Sequence, residues 1–278
     1  MRTCKRSTPD PLLRTFLETY RLNLLATPRA DAAVGDLYVE TKGRTSSPGS
    51  LQHFLTPGFA LAETTRDAPM AQVAGAITDA ISLRIGLGLL EGFLAALGAL
   101  GVVDEVKGAY SREGAHALRF SFSDARRDAV DAGWIGAQLI RQQFTPSHAL
   151  VNPGNRYYLV TGVAKSASLS VGATSKSGRQ IELAADVLKA VEAEGKITVS
   201  KEREGTYAYA GDTPLAFGVE LYELAHDPRA NKIKMAIPDG AIRLLAAGER
   251  ARPVLEPAFI GTADDDALID VARVSVGD

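Results

Sequence analysis

Apolar residues recur along the chain with two different periods, 3.6 and 2, so helices and strands are interleaved. Leu13, Leu17, Tyr20 and Leu24 stand at helical spacing behind Asp10-Pro11. Aspartate caps the free amides of a first turn and proline suits its first position, so the spacing predicts a helix over 11–26 that ends before Pro28. Ala33–Glu40 reads as a strand, and the polar stretch 42–50, rich in Gly, Pro and Ser, as a loop.

Residues 70–103 carry both periods. Ala71, Ala74, Ile77, Ala80, Ile81 and Arg84 suit one side of a helix, whereas Leu83, Ile85, Leu87 and Leu89 alternate with Ser82, Arg84, Gly86 and Gly88 as a strand does. The pattern fits a buried helix with small residues at its contacts, or a segment able to adopt two structures.

Leu118–Phe122 is a short alternating strand, and Asp124 is predicted to cap a helix from Ala125 to about Gln143. Tyr157–Ser175 reads as one strand, against the usual five or six residues. Its odd positions, Leu159, Val163, Leu169 and Val171 among them, are mostly apolar; its even positions are mostly small or hydroxylated. Such a strand suits a core pair bent near Gly162, or a wall crossing a bilayer at a tilt, which takes about 9–11 residues with one apolar face. Arg179–Glu194 reads as a helix, and 196–200, 206–209 and 215–224 as strands. The fold class predicted is α+β: a twisted, mostly antiparallel central sheet with surrounding helices.

With 278 residues, 46% hydrophobic and 23% charged, the chain has ordinary globular composition and length for a large core. A net charge of -2 offers no overall basic field for nucleic acid. From Glu249 onward, seven acids against three bases give -4, leaving +2 for the rest. Arg14, Glu18 and Arg21 interrupt any secretory leader, and the uncharged run 92–103 is short of the ~20 residues of a spanning helix. The chain is therefore expected to be made soluble, in the cytoplasm. Its single cysteine, Cys4, stands beside Arg2, Lys5 and Arg6. Flanking bases favour a thiolate and suit an S-acyl chain, since stable anchoring takes a chain plus a second signal; a chance thiol on a terminal tip fits as well.

Enzyme chemistry is not visible. His53, His116, His148 and His226 lack metal-ligand spacing, and no Gly-x-Ser-x-Gly elbow occurs. Residues 172–179 lack the Gly-Lys-Ser/Thr ending of a phosphate loop, and 86–92 has one residue too many for a dinucleotide fingerprint. No enzyme activity, metal or cofactor is expected.

Several stretches in order resemble the bacterial gasdermins: Cys4, the segment Pro11–Ala26 running into Thr27–Arg29, the strand Val34–Val39, the pair around Tyr157–Lys176, and Thr213–Tyr222. The resemblance implies a gasdermin pore-forming domain over 1–248 and a short autoinhibitory tail over 249–278. It implies a monomer at rest, activated when a caspase-like or trypsin-like protease removes the tail. The released body then oligomerises with itself in lipid of the bacterial inner membrane as a large β-barrel pore, killing the cell in antiphage defence. It also implies palmitoylation of Cys4.

On that resemblance, Leu83, Ile85, Leu87, Leu89, Leu159, Val163, Leu169 and Val171 become membrane-strand candidates. Val254, Leu255, Phe259, Ile260, Leu268, Ile269 and Val271 become tail residues that cover an apolar surface or sheet edge. The polar stretch 242–252 suits an accessible cleavage loop, with Leu245, Arg250 and Arg252 as candidate P1 residues. Two other classes fit the residues alone: a soluble lipid- or ligand-binding α+β module, and an adaptor that binds a partner through its acidic tail.

Overall fold

A computed structural model describes residues 16, 19–42, 44–61, 63–70, 81–145, 154–193, 197–227, 229–235 and 271–273, with side chains described except at 81–85 and 271–273. The described strands join in one twelve-stranded, mostly antiparallel sheet, with helices packed against it. This is the predicted fold class.

Two long strands, β8 (Arg156–Ser175) and β10 (Thr206–Asp227), pair antiparallel from Tyr157↔Leu224 to Gly172↔Thr206. Each is long enough to serve three short neighbours in succession. Along its other edge β8 pairs with β2 (Asp36–Thr41), then β7 (Arg126–Ala129), then β6 (Ala115–Ser123). Along its own, β10 pairs with β9 (Thr198–Arg203), β1 (Asn23–Arg29) and β11 (Lys232–Met235). β4 (Thr65–Pro69) pairs with β7, β5 (Ile81–Ser82) with β6, and β3 (Arg44–Ser50) with β2. β12 (Val271–Arg273) lies parallel on the outer edge of β3, Val271 beside Thr45 and Arg273 beside Ser47.

Among the described residues, the α-helices with defined bounds are α1 (Leu83–Ala96), α2 (Val103–Arg112), α3 (Ala132–Leu139) and α4 (Ala185–Ala193). Among the described residues, three apolar clusters form the core. The largest gathers Leu89, Leu90, Phe93 and Leu94 of α1, Val106 and Tyr110 of α2, and Val187 and Val191 of α4 onto one face of β6, β8 and β10. A second packs Ile135 and Leu139 of α3 with Tyr157, Leu159 and Tyr222. A third lines the reverse face with Tyr38, Tyr158, Val160, Val163 and Val219.

Four expectations are corrected. The helix predicted over 11–26 gives way to β1 from Asn23: Leu24 enters the first cluster and Leu25 the third, as neighbours on opposite faces of a strand must. The polar loop 42–50 holds β3, which stays polar because it lies towards the sheet margin and its burial is partial. Asp124 caps no helix; it turns at φ +47° between β6 and β7, and Asp131 caps α3 by accepting a 2.7 Å hydrogen bond from the Trp134 amide. The strands read at 206–209 and 215–224 are one strand, kept continuous by irregular register between Ala210 and Leu215. The ambiguous stretch is helical over 83–96, and 71–80 lies outside the described residues.

Candidate functional site

The half of the sheet under α1, α2 and α4 is two-sided in register. On the covered face, Phe122–Leu169–Tyr209 and Phe120–Val171–Tyr207 form rungs across β6, β8 and β10, with Leu118 beside Ala173. On the opposite face the rungs are Ser123–Ser168–Ala210, Ser121–Ser170–Ala208 and Arg119–Gly172–Thr206. A period of two puts every other residue on one side, so the two faces follow from sequence once pairing is fixed. Open to that hydroxylated side is a cleft of about 430 Å³, with Arg119, Ser170, Glu202 and Arg203 on its walls. Ser170 donates to Glu202 Oε1 at 2.9 Å, and Arg203 Nε donates to Thr206 Oγ1 at 3.3 Å.

The apolar face is held shut by close packing. Phe122 stacks on Phe217 with centroids 3.8 Å apart and planes at 10°. At Gly92 of α1 a Cβ would stand 1.9 Å from the carbonyl oxygen of Ala26, so only glycine lets α1 approach β1 this closely.

Farther along the same face, a charged belt separates the first cluster from the second. Glu220 on β10 is buried and paired with Arg127 on β7, and both reach over Gly162 on β8. Arg127 Nε has no partner among the described residues. Burial pushes the Glu220 carboxyl up, against the pull of Arg127 and Arg21. On the reverse face, Lys165 Nζ bridges Asp128 at 2.8 Å and Asp67 at 3.0 Å, tying β8 to β7 and β4. Burial raises Asp128, but Lys165 and the Asp67 amide outweigh it and hold the carboxyl low.

The membrane-strand candidates fall in different places. Leu169 and Val171 are on the covered wall, and Leu89 and half-buried Leu87 are on the helix above it. Leu159 lies in the second cluster and Val163 on the reverse face, because register irregularities shift which residues share a face. Leu83 and Ile85 are backbone positions of α1. Of the tail candidates, Val271 is in β12. Cys4, Leu245, Arg250, Arg252, Val254, Leu255, Phe259, Ile260, Leu268 and Ile269 lie outside the described residues.

Sequence reasoning missed the charged belt. Its signal was Glu220 inside the apolar run 215–224; Arg127 was hidden by its assignment to a helix. Among the described residues, no group of three or more His, Cys, Asp or Glu is placed to hold a metal, and no helix is long and apolar enough to cross a membrane.

A long-stranded antiparallel sheet, apolar on one side under helices and hydroxylated on the other, defines a fold that is shared with a solved bacterial gasdermin from Bradyrhizobium tropiciagri. The two superpose with a TM-score of 0.67 at 19% identity, covering 97% of this chain and 99% of that one. The profile of the Bacterial Gasdermin Family matches residues 25–232, and the chain belongs to that family. It is 28% identical over 268 residues to the gasdermin bGSDM of Vitiosangium sp. (strain GDMCC 1.1324), covering 94% of each chain. It is 24% identical to the gasdermin bGSDM of Bradyrhizobium tropiciagri, covering 96% of this chain and 98% of that one.

Proposed function

We propose that this gasdermin is an autoinhibited pore former, with body 1–248 restrained by tail 249–278. The observation that carries the reading is β12: a strand from the tail completes the edge of β3, more than two hundred residues earlier in sequence. An open strand edge is a template for pairing with another chain, and covering it is how a sheet stays single. A caspase-like or trypsin-like protease cutting near Leu245, Arg250 or Arg252 removes that cover. Val254, Leu255, Phe259, Ile260, Leu268, Ile269 and Val271 supply the tail's apolar grip.

The freed copies leave the cytoplasm, assemble on lipid of the bacterial inner membrane and close a β-barrel, since a closed ring alone satisfies strand amides in hydrocarbon. Palmitate on Cys4 adds the second membrane signal. The outcome is cell death in antiphage defence. Support for the wall comes from the two-sided rungs of β6, β8 and β10, apolar on one side and, apart from Arg119, small or hydroxylated on the other.

The cleft lined by Arg119, Arg203 and serine hydroxyls favours a second reading, a soluble lipid- or ligand-binding module. Release of a large dye from liposomes of bacterial lipid separates the two. Pore formation requires leakage from a chain ending near Leu245 and none from the uncut chain. Intact liposomes with both, each well folded, leave the binding module.

A further inference from the structure

The charged belt divides one sheet face into two apolar surfaces that the pattern of hydrophobic residues alone does not distinguish. On one side of Arg127–Glu220 lie the rungs Phe122–Leu169–Tyr209 and Phe120–Val171–Tyr207; on the other lie Tyr157, Leu159, Phe144 and Tyr222. The pair sits over Gly162, and Arg21 adds a second positive charge that acts on Glu220.

We infer that Arg127 and Glu220 mark the waterline of the inserted protein. The surface on the Phe120–Tyr209 side meets lipid acyl chains, and the surface on the Phe144–Tyr157 side stays in the aqueous body. This rests on the pore reading above. Three physical facts set the boundary. Charged side chains facing acyl chains are costly, so along β6, β8 and β10 the lipid-facing strip ends where its face meets the Arg127–Glu220 pair. β6, with 9 residues, and the run 164–174 of β8 match the ~9–11 residues that a tilted strand needs to cross hydrocarbon. Beyond the pair, β8 exchanges its neighbours β6 and β7 for β2, so the sheet changes its own make-up at the same level. The strip's reverse side carries Arg119, Ser121, Ser170 and Thr206, which suit water in a lumen. Lys165 and Asp128, close to the pair in sequence and on the reverse side, stand at the lumen's rim.

Tryptophan quenching by brominated acyl chains tests this. The chain has one tryptophan, Trp134, which is exposed on α3 and is replaced by Phe. A site-specific protease sequence replaces residues 246–252 of the full chain. Single tryptophans then enter as Phe120→Trp and Tyr209→Trp on one side, and Phe144→Trp and Tyr157→Trp on the other. Circular dichroism melts identify variants that keep the resting fold, and two positions per side allow for the loss of one. Upon cleavage with phosphatidylethanolamine–phosphatidylglycerol vesicles, fluorescence at 120 and 209 is expected to fall at least twofold in brominated relative to plain lipid. Fluorescence at 144 and 157 should be equal in both. Dye release with quenching on both sides, or on neither, overturns the waterline and leaves the pore. Cleavage without dye release removes the pore reading, and the waterline with it.

Discussion

Gly162 faces Glu220 across the β8–β10 ladder, and a Cβ at Gly162 would stand 3.0 Å from Glu220 Oε2. The missing side chain is the space in which Arg127 and Glu220 meet. Gly162→Val fills it, and overpacking of this kind costs about 1–3 kcal/mol. The midpoint of urea unfolding should fall accordingly; an unchanged midpoint would mean that the pair moves aside freely. Glu220→Ala instead leaves Arg127 facing a buried gap and should cost about 3 kcal/mol, the low end for a broken buried pair, because Arg127 keeps partial contact with water. The double variant Arg127→Met/Glu220→Leu should be more stable than Glu220→Ala alone.

Acid sensitivity is expected from Asp128. Lys165 and the Asp67 amide, acting against desolvation, hold its carboxyl below 3.8 in the folded chain. The unfolded chain therefore binds the proton more readily. Asp128 contributes stability fully above its ordinary value and loses it as pH falls through the lowered one. Asp128→Asn should lower stability at pH 7 and flatten the decline between pH 5 and 2. Parallel wild-type and variant curves across that window would refute the assignment.

Gly92 sets how tightly α1 lies on β1. Gly92→Val drives a side chain into the Ala26 carbonyl, which is backbone and cannot swing away. The helix must lift from the wall it covers. The variant should melt lower and, under the proposed function, release dye faster after cleavage. Wild-type release kinetics in a variant that melts lower would separate α1 from insertion.

The tail strand gives the most direct test of restraint. Ala272→Pro removes an amide from β12 and distorts the residue before it. Uncleaved protein carrying it should leak dye, as should Phe259→Asp/Ile260→Asp. If the uncut variants are as inert as wild type, the tail does not restrain the body.

Much of the fold was legible because β8 declares itself: alternation over 157–175 is too long for anything but a strand. What the alternation concealed was phase. Register shifts along β8 and β10 put Val163 on the face opposite Leu169, although both are odd-numbered, and no single-strand pattern reveals a partner's bulge. β1 was concealed for a different reason. Tyr20 and Leu24 share helical spacing, yet Tyr20 is helical and Leu24 lies in β1, where the pairing of Asn23 with Val219 outweighs local preference. Glu220 was visible as a charge in an apolar run, but its partner became recognisable only when β7 replaced a predicted helix.

The pairing of Thr45 with Val271 also governs how the molecule comes into being. A chain emerging from a ribosome presents β3 long before β12 exists, and β1 long before β10. During synthesis at about 5–20 residues per second, more than two hundred residues separate the β3 edge from its cover. For those tens of seconds the nascent chain carries its sheet margin bare. Sealing of that margin must wait until residues 271–273 have emerged.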